Sequence, residues 1–217
     1  MFNAKVVTVL GLLLMASLGL NIRQQVLLKK GDEGIAVLGV LDGDTITLEG
    51  KTRFRLRNID APEMDFCGGE EAKKVLEKLV TSKRVRTEEQ IIDVFGRPMG
   101  LVYVDDKLVN EEMIKSGWVK YHSDKTSVSE RLKAISDSNK AEDKGMFGKC
   151  WEVENKNNPE CTIKGNIDPS NSQLKRYYLP GCVQYKTTIV ELDRGEQWFC
   201  NEKEAKNAGY VKSERCP

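Results

Sequence analysis

An alternating segment, residues 41–63, restricts the fold of this chain more than any other part of the sequence. Apolar residues alternate with threonines in its first half and with arginines in its second half, which is the period of two expected of half-buried strands. A turn at residues 49–51 joins the two halves. A register that sets Ile46 opposite Phe54 keeps the apolar residues on one face. The segment therefore predicts a β-hairpin with one buried face.

Charged residues of complementary chemistry lie in the same hairpin. The register brings Asp44 level with Arg55 and the residue after it on the partner strand, whereas Asp60 and Glu63 follow the end of the pairing. These two acids can join Asp44 only if the sheet curls on itself, as it does in a small barrel. A further arginine, Arg97, comes from a loop far along the chain.

The residue types in this set suit metal-assisted cleavage of a phosphodiester. Carboxylate oxygens select Ca²⁺ or Mg²⁺, and guanidinium groups match the charge that builds on a phosphoryl group. A glutamate beside the metal can take the proton from the attacking water. No histidine or cysteine with zinc spacing lies in the set, which argues against a zinc hydrolase. Asp42 and Asp44 flank a glycine and also suit an ordinary turn, and spacing alone leaves that alternative open.

The charge balance argues against one class of nucleic-acid-binding protein. The chain has 217 residues, enough for one domain and a small appendage, and its formal net charge is +1. This balance argues against a protein that holds nucleic acid mainly by bulk positive charge. A nucleic-acid function would have to rest on local arginines and a metal.

The N-terminus has the pattern of an export signal. Residues 6–20 are an uninterrupted run of apolar and small residues that follows a single lysine. We assign residues 1–22 to a signal peptide or signal anchor, which holds the protein at a membrane if it is not cleaved, and residues 23–33 to a polar tether. A buried helix of the fold is the alternative for the apolar run. The 6 cysteines agree with export, because an even number suits disulfides in an oxidising, extracytoplasmic compartment.

The order of the remaining elements predicts an α+β domain over residues 34–151. A strand at residues 34–41 precedes the hairpin, and a helical pattern covers residues 70–80. Strands at residues 83–87 and 99–104 follow. Two further helices complete the domain.

Residues 152–161 read as a linker, and residues 162–217 as a small cysteine-bearing module. The module has too few apolar residues for an independent core, so crosslinks or a metal would have to supply stability.

Local signals predict how the second and third helices begin and end. Asn110 is the expected N-cap of one helix and Gly117 its C′ residue. Ser127 and Glu130 have the spacing of a capping box at the start of the next. On the hairpin, Arg53 and Arg57 read as a solvated sheet face, and His122 reads as a surface or core residue.

Four motifs in fixed order resemble the staphylococcal nuclease (thermonuclease) family: VLDGDTITL, FRLRNIDAPE, DVFGRPMGLVYVDDKLVN and GMFGKCW. The resemblance covers residues 34–151. It implies a five-stranded OB-type β-barrel with three helices, and hence an α+β fold. It also implies a Ca²⁺-dependent nuclease that cuts DNA and RNA with little sequence preference and leaves 3′-phosphates.

The resemblance carries site roles to matching positions. It assigns four residues to the metal: Asp44, Asp60, Ala61 through its backbone carbonyl, and Asp42 in the outer shell. It assigns three residues to catalysis: Glu63 as the general base, with Arg55 and Arg97 as stabilisers of the phosphate and the leaving group.

Several positions depart from the family pattern. Ala61 stands where a threonine is usual, which leaves the carbonyl unchanged. Phe95 replaces a tyrosine whose hydroxyl contacts phosphate, and the loop after Glu63 is shorter and lacks lysines. The expected base-stacking tyrosines are not clearly matched, because three residues fall at different offsets: Trp118, Tyr121 and His122. Weaker nucleotide affinity follows, since stacking contributes about 1–3 kcal/mol per base.

The cysteines allow several pairings. A bridge between Cys67 and Cys150 would pin the end of the domain to the barrel, and a bridge between Cys150 and Cys161 competes with it. The C-terminal module resembles one found in exported bacterial nucleases, where the first and last cysteines pair. That likeness implies a bond between Cys182 and Cys216, and it leaves Cys161 and Cys200 unassigned. A four-thiolate zinc site is the alternative, since the module also resembles the zinc-binding domain of the Ada DNA-repair protein.

We therefore expect an exported, monomeric, Ca²⁺-dependent nuclease that acts on DNA and RNA and prefers single strands. The module offers four candidate substrate contacts, of which the tyrosines also suit its core: Lys175, Arg176, Tyr177 and Tyr178. A non-catalytic nucleic-acid-binding OB module is the first alternative, and a redox or zinc-dependent adaptor centred on the cysteines is the second.

Overall fold

The computed structural model describes residues 34–216, together with Met15, Ser17 and Leu20. The predicted export segment, residues 1–22, and the predicted tether, residues 23–33, otherwise lie outside these described residues. No helix among the described residues combines the length and the apolar character needed to cross a membrane.

A closed five-stranded β-barrel forms the centre of the fold. In chain order the barrel and the short strands beside it are β1 (Ile35–Val40), β2 (Thr45–Leu48), β3 (Thr52–Leu56), β4 (Ile59–Asp60), β5 (Arg84–Ile92), β6 (Pro98–Val104), β7 (Lys107–Leu108) and β8 (Lys120–Tyr121). The order around the barrel is β3, β2, β1, β5, β6, and a parallel pairing of β6 with β3 closes the ring. The OB-type α+β fold is confirmed.

The predicted hairpin register is also confirmed. Ile46 pairs with Phe54, and Thr45 pairs with Arg55. The main-chain N–H of Leu56 donates to the carbonyl of Asp44 at 2.8 Å, so Asp44 lies level with the Arg55 end of β3. The alternation works because the apolar side chains all face a core, and a shift of one residue would expose every one of them.

Three helices of the described residues pack against the barrel: α1 (Gly69–Val80), α2 (Val109–Ser116) and α3 (Ser129–Ala141). The one-turn α4 (Met146–Lys149) follows them and packs beside Trp118 and Trp151. Side chains from both layers meet in one fully buried core that includes Ile46, Leu56, Leu76, Met113 and Leu132. The apolar stripe of α1 follows the helical period, which sets its inward face against the barrel.

Strand β5 is longer than the sequence predicts. Its expected end is residue 87, but pairing with β6 continues to Ile91 and Ile92 after an irregularity that follows Glu88. β-Branched residues favour extended backbone, which explains the extension into the segment that was expected to be a loop.

Asn110 is not the N-cap of α2, because the helix begins at Val109 and Leu108, two residues before Asn110, is the N-cap. The Asn110 amide is buried instead. Its Oδ1 accepts the Val102 N–H at 2.8 Å, and its Nδ2 donates to the Arg57 carbonyl at 2.8 Å. The Asn110 side chain therefore binds partners inside the barrel and does not cap the helix. Gly117 ends the helix with φ 79°, as the sequence predicts.

The capping box at the start of α3 is also wrong. The helix begins at Ser129, and no side chain caps it. Ser127 instead binds the Glu89 carboxylate of β5 through its N–H and its hydroxyl. Ser127 therefore contacts the barrel and does not cap the helix.

Arg57 was expected on a solvated face and is buried. Its guanidinium donates to the Glu89 carbonyl at 2.7 Å and to the Lys125 carbonyl at 3.0 Å. The chain turns inward directly after β3, so Arg57 joins distant loops, whereas Arg53 stays exposed as predicted.

The C-terminal part forms a second sheet. Its elements are β9 (Trp151–Glu152), β10 (Ile163–Ile167), β11 (Lys175–Tyr178), β12 (Val190–Glu191), a 3₁₀ turn (Leu192–Arg194), β13 (Trp198–Phe199), α5 (Glu202–Asn207) and β14 (Val211–Lys212). The sheet order is β13, β10, β11, β14. Tyr177 is fully buried in its small core beside Phe199 and Tyr210. The suggestion that Tyr177 contacts substrate is therefore wrong, and the core alternative is confirmed.

Disulfide bonds join Cys67 with Cys150, Cys161 with Cys200, and Cys182 with Cys216. The competing bond between Cys150 and Cys161 is not formed. Among the described residues no cysteine is free, so these thiols are not available to a zinc site. The last two bonds crosslink the module, as its shortage of apolar residues requires.

The C-terminal module is attached to the barrel at several points, through elements outside the four-stranded sheet. Strand β9 pairs with β12, which places Glu152 in a sheet. Lys120 of β8 donates to the carboxylates of Glu191 and Asp193, both at 2.6 Å. Burial raises the pKa of Asp193, and the Lys120 ammonium opposes that shift. Because Lys120 pairs in register with Asp60, this contact fixes the strand that carries Asp60.

Candidate active site

Arg55 joins two of the predicted metal ligands. Its Nη1 donates to Asp44 Oδ1 at 2.7 Å and its Nη2 donates to Asp60 Oδ1 at 2.6 Å. Strand β3 supplies Arg55 and β4 supplies Asp60, whereas Asp44 immediately precedes β2. The fork of the guanidinium is what allows one side chain to reach both acids.

Asp44 is the buried member of this cluster. Its Oδ1 also accepts the Thr45 hydroxyl at 2.9 Å, and its Oδ2 accepts the Ala61 N–H at 3.0 Å. Burial raises the pKa of Asp44 to about 6, although the Arg55 guanidinium and the Ala61 N–H act in the opposite direction. Nearby positive charge strongly stabilises the ionised form of a carboxylate that is buried in this way.

A tight turn sets Asp44 in place. The Asp42 carboxylate accepts the Asp44 N–H at 3.1 Å, which is the side-chain-to-backbone bond typical of an Asx turn. A Cβ on Gly43 would lie 2.5 Å from the Ala72 Cβ of α1 and 2.6 Å from the Ala61 Cβ. Only glycine therefore lets this turn approach Ala61 closely enough for Asp44 to bind its N–H.

Glu63 lies in the turn that follows β4, with its side chain exposed. Its carbonyl accepts the Phe66 N–H at 2.9 Å and packs against Gly69, where a Cβ would lie 2.2 Å away. The Cys67–Cys150 bond ties the same segment to the end of α4. The Glu63 backbone is thus held, while its carboxylate makes no hydrogen bond or ion pair to the described part of the chain.

Arg97 is held by Asp93 in the loop between β5 and β6. The Arg97 Nε donates to Asp93 Oδ2 at 2.7 Å, and its main-chain N–H donates to Asp93 Oδ1 at 2.8 Å. Its guanidinium carbon lies 5.2 Å from the centroid of the Phe95 ring. Neither Nη atom has a hydrogen bond or ion pair within residues 34–216. Those two nitrogens are the groups that can meet an external anion.

Barrel closure brings Arg97 to the edge that carries Arg55. The parallel pairing of β6 with β3 sets Met99 opposite Arg55, two residues after Arg97. Strand spacing and rise then put the Cα atoms of the two arginines on the order of 8 Å apart. Arg97 makes no direct contact with Asp44 or Asp60, and Glu63 makes no contact with them either. The structure thus joins Asp42, Asp44, Arg55, Asp60 and Ala61 directly, and brings Arg97 alongside.

Sequence reasoning missed three residues of this site. Thr45 binds Asp44, Gly43 makes room for the acid turn, and Asp93 orients Arg97. A signal existed for Asp93, which stands four residues before Arg97 in one loop. No local signal identifies Gly43, because the atoms that exclude a side chain there come from Ala72 of α1 and from Ala61.

The candidate cation donors are oxygens: the carboxylates of Asp44 and Asp60 and the carbonyl of Ala61. Within residues 34–216 no group of three or more His, Cys, Asp or Glu side chains forms a metal-binding cluster. The donor set nevertheless fits a hard cation, since two carboxylates and a carbonyl are the ligand types that Ca²⁺ and Mg²⁺ prefer. The burial of Asp44 also favours a cation here, because positive charge stabilises its ionised carboxylate.

The other aromatic candidates do not line the acid cluster. Trp118 and Tyr121 are half-buried and pack against the barrel core. His122 is exposed and contacts Asp124 at 3.2 Å. The reading of His122 as a residue without a catalytic contact agrees with this position.

The module borders the site. A cleft of about 350 Å³ runs between the strand of Asp60 and the module. Its lining from the barrel side includes Asp60, Ala61, Pro62 and Lys120, and its lining from the module side includes Glu191, Asp193 and Arg194. Any chain that leaves the cluster on this side meets the module.

One part of this chain matches a known protein family. Residues 53–149 match the family model described as staphylococcal nuclease homologue. The matched stretch contains Arg55, Asp60, Ala61, Glu63 and Arg97, whereas Asp42 and Asp44 precede it.

Individual relatives carry similar descriptions. The chain is 38% identical over 74 residues to a probable staphylococcal-like nuclease of Oryza sativa subsp. japonica, which covers 34% of this chain and 20% of the relative. It is 38% identical over 85 residues to an uncharacterized endonuclease of Haemophilus influenzae, covering 37% and 48%. It is 38% identical over 96 residues to an uncharacterized endonuclease of Escherichia coli O157:H7, covering 41% and 63%. The chain thus spans less than two thirds of the length of each.

Proposed function

Because residues 53–149 of this chain belong to the staphylococcal nuclease homologue family, we propose that the protein is a Ca²⁺-dependent nuclease. It hydrolyses phosphodiester bonds of DNA and RNA with low sequence specificity and leaves 3′-phosphates. One observation carries the proposal: Arg55 bridges Asp44 and Asp60 at the barrel edge where closure also delivers Arg97.

The oxygen donors of the cluster support the choice of Ca²⁺. Asp44 and Asp60 would hold the ion by their carboxylates, Ala61 by its carbonyl, and Asp42 from the outer shell. When bound, the ion would polarise a non-bridging oxygen of the phosphate. The raised pKa of Asp44, to about 6 through burial, is consistent with a carboxylate that gains from added positive charge.

Three side chains of the protein would supply the remaining catalytic roles. Glu63, exposed and free of partners within residues 34–216, would take the proton from the attacking water. The free Nη groups of Arg97 would donate to phosphate oxygens, where negative charge grows in the transition state. Arg55 would supply a second guanidinium on the opposite strand of the closing pair. Breakage of the bond on the 5′ oxygen side then leaves the phosphate on the 3′ carbon.

The crosslinks support a location outside the cytoplasm. Three disulfides are typical of an oxidising compartment. We place the protein outside the cytoplasm, secreted or periplasmic, with residues 1–22 as its signal or anchor. Unpaired strands are the preferred substrate in this proposal, and the enzyme acts as a monomer.

The test is cleavage of labelled single-stranded DNA and RNA by the full chain, with Ca²⁺ or with EDTA. Cleavage should require Ca²⁺, and the products should carry 3′-phosphates. Glu63→Gln and Arg97→Ala should each lower the rate by on the order of 10² or more. Arg131→Ala is the matched control, because Arg131 is an exposed arginine paired with Glu111 on the helical side. Strand binding without any Ca²⁺-dependent cleavage would replace the proposal with the non-catalytic OB module.

A further inference from the structure

The tip of the β5–β6 hairpin, residues 91–97, exposes more apolar surface than a solvated turn requires. Val94 is 93% exposed and Phe95 is 78% exposed, and Ile92 beside them is 66% exposed. Single exposed apolar residues are ordinary, but contiguous apolar patches usually mark a binding surface. This patch lies at the mouth of the proposed active site, because the same loop carries Arg97.

The hairpin tip is rigid enough to present a side chain in one position. Asp93 accepts the Phe95 N–H at 2.9 Å and the Arg97 N–H at 2.8 Å on a single oxygen. Main-chain bonds from Gly96 to Asp93 at 3.0 Å and from Asp93 to Arg97 at 2.9 Å close the loop. A loop whose backbone is already held in place loses little backbone entropy on binding, which makes it an effective contact.

Phe95 and Arg97 form one unit. The guanidinium carbon of Arg97 lies 5.2 Å from the Phe95 ring centroid, and both residues depend on the Asp93 carboxylate for their placement. The Arg97 Nη groups are the donors proposed to meet a phosphate. An aromatic face at that distance from a phosphate donor is where the base of an adjoining nucleotide can lie.

We propose that Phe95 is a stacking platform for a nucleobase that flanks the phosphate engaged by Arg97. This inference rests on the proposed nuclease function and names the part of the substrate that the site selects. A phenyl face accepts every base, which agrees with low sequence specificity. A base can reach Phe95 only when it is unpaired, so the same contact favours single strands over duplex.

Other aromatic residues near the cluster are less suited to this role. Trp118 and Tyr121 pack in the core, and the Phe66 ring lies against Gly195, where a Cβ would be 2.6 Å from it. Phe95 is the strongly exposed aromatic ring among the described residues of the barrel edge. A lipid surface is the other partner that an apolar tip could fit, and the test separates the two.

The experiment measures binding without catalysis. The full chain carrying Glu63→Gln is titrated, in EDTA, into a fluorescein-labelled single-stranded 12-mer, and anisotropy gives the affinity. Adding Phe95→Leu, which keeps an apolar side chain but removes the aromatic face, should weaken binding about tenfold. Phe95→Trp should retain affinity and show indole quenching on strand addition beyond that of the 3 native tryptophans. Leu38→Ala, an exposed apolar residue of β1 outside the tip, should change nothing.

Two results would overturn the inference. One is equal strand affinity for the Phe95→Leu variant and its parent. The other is equal affinity of the parent for the 12-mer and for an abasic strand of the same length. Association with vesicles of phosphatidylglycerol that Phe95→Leu preserves, with strand affinity unchanged, would assign the tip to lipid instead. Failure of the nuclease proposal is a separate observation, namely no Ca²⁺-dependent cleavage by the unmodified chain.

Discussion

Asp93 holds Arg97 by both of its carboxylate oxygens, one on the Nε–H at 2.7 Å and one on the main-chain N–H at 2.8 Å. The bond to Nε fixes the plane of the guanidinium and leaves both Nη groups to face outward. Since a bidentate guanidinium recognises phosphate only in a limited range of orientations, Asp93 is a positioning residue for Arg97.

Replacing Asp93 by alanine should lower kcat for strand cleavage by on the order of 10- to 100-fold, because misplacement of about 1 Å is enough for such a loss. Steady-state kinetics with saturating Ca²⁺ measures the change. Asp137→Ala is the matched control, since it removes an acid that is exposed and paired with Lys133 on α3. An unchanged kcat for the Asp93 variant would show that Arg97 needs no such support.

Arg55 also has a structural role, because it gives the buried Asp44 its nearest counter-charge at 2.7 Å. Arg55→Ala should destabilise the chain in EDTA by about 2 kcal/mol, less than the loss from a fully buried pair because the Arg55 side chain is 21% exposed. Millimolar Ca²⁺ should raise the Tm of this variant more than that of the parent, since the carboxylates then lack any other cation. Calorimetry with and without EDTA measures both effects.

The control for this comparison is Arg53→Ala, which removes an exposed arginine from the same strand. Its Tm and its response to Ca²⁺ should match those of the parent. Equal Ca²⁺-induced increments in all three proteins would contradict the assignment of Asp44 and Asp60 to the cation.

An added methyl group should lower the stability of the chain at one of two nearby glycines and leave it almost unchanged at the other. At Gly43 the added Cβ would lie 2.5 Å from the Ala72 Cβ, so Gly43→Ala should cost about 1–3 kcal/mol and displace Asp44. At Gly39, in strand β1, nothing lies within 4 Å of the added Cβ, so Gly39→Ala should stay within about 0.5 kcal/mol of the parent. Urea unfolding of both variants is the measurement, and equal costs would refute the packing argument.

The sequence predicted those parts of the site that depend on local order. A period of two and a turn were enough to pair Ile46 with Phe54, and that register alone set Asp44 beside Arg55. The approach of Arg97 needed the β3–β6 pairing, which closes the barrel across a long stretch of chain. Spacing motivates such closure but does not specify which strands meet.

The mistaken predictions share a physical cause. Asn110 and Ser127 both carry good capping side chains, yet each is engaged by a barrel strand that no local pattern identifies. The buried Asn110 amide gains more from partners inside the fold than from a solvated helix end, whereas the exposed Ser127 donates to a charged carboxylate instead of capping a helix. Arg57 was misplaced for the same reason, since its acceptors at Glu89 and Lys125 are distant in the chain.

Glu196 should make the stability of the module depend on pH. Its carboxylate is buried and accepts the N–H groups of Ile167 and Glu191, each at 2.8 Å. Burial raises the pKa of Glu196 above its ordinary value of 4.5, against the lowering effect of those two hydrogen bonds. A carboxyl whose pKa is higher in the folded chain binds its proton more tightly there than in the unfolded chain. Its contribution to the free energy of unfolding is therefore full below pH 4.5 and is lost as the pH rises through the folded pKa.

Glu196→Gln removes this titration, so the stability difference between parent and variant should shift in favour of the parent as the pH falls from 8 toward 4.5. Urea unfolding at each pH, followed by near-ultraviolet circular dichroism, gives that difference directly and cancels the titration of all other groups. Glu130→Gln, at an exposed position on α3, controls for the loss of one negative charge. Parallel pH profiles for parent and Glu196→Gln would mean that the carboxyl is no more strongly protonated in the folded module than in the unfolded chain.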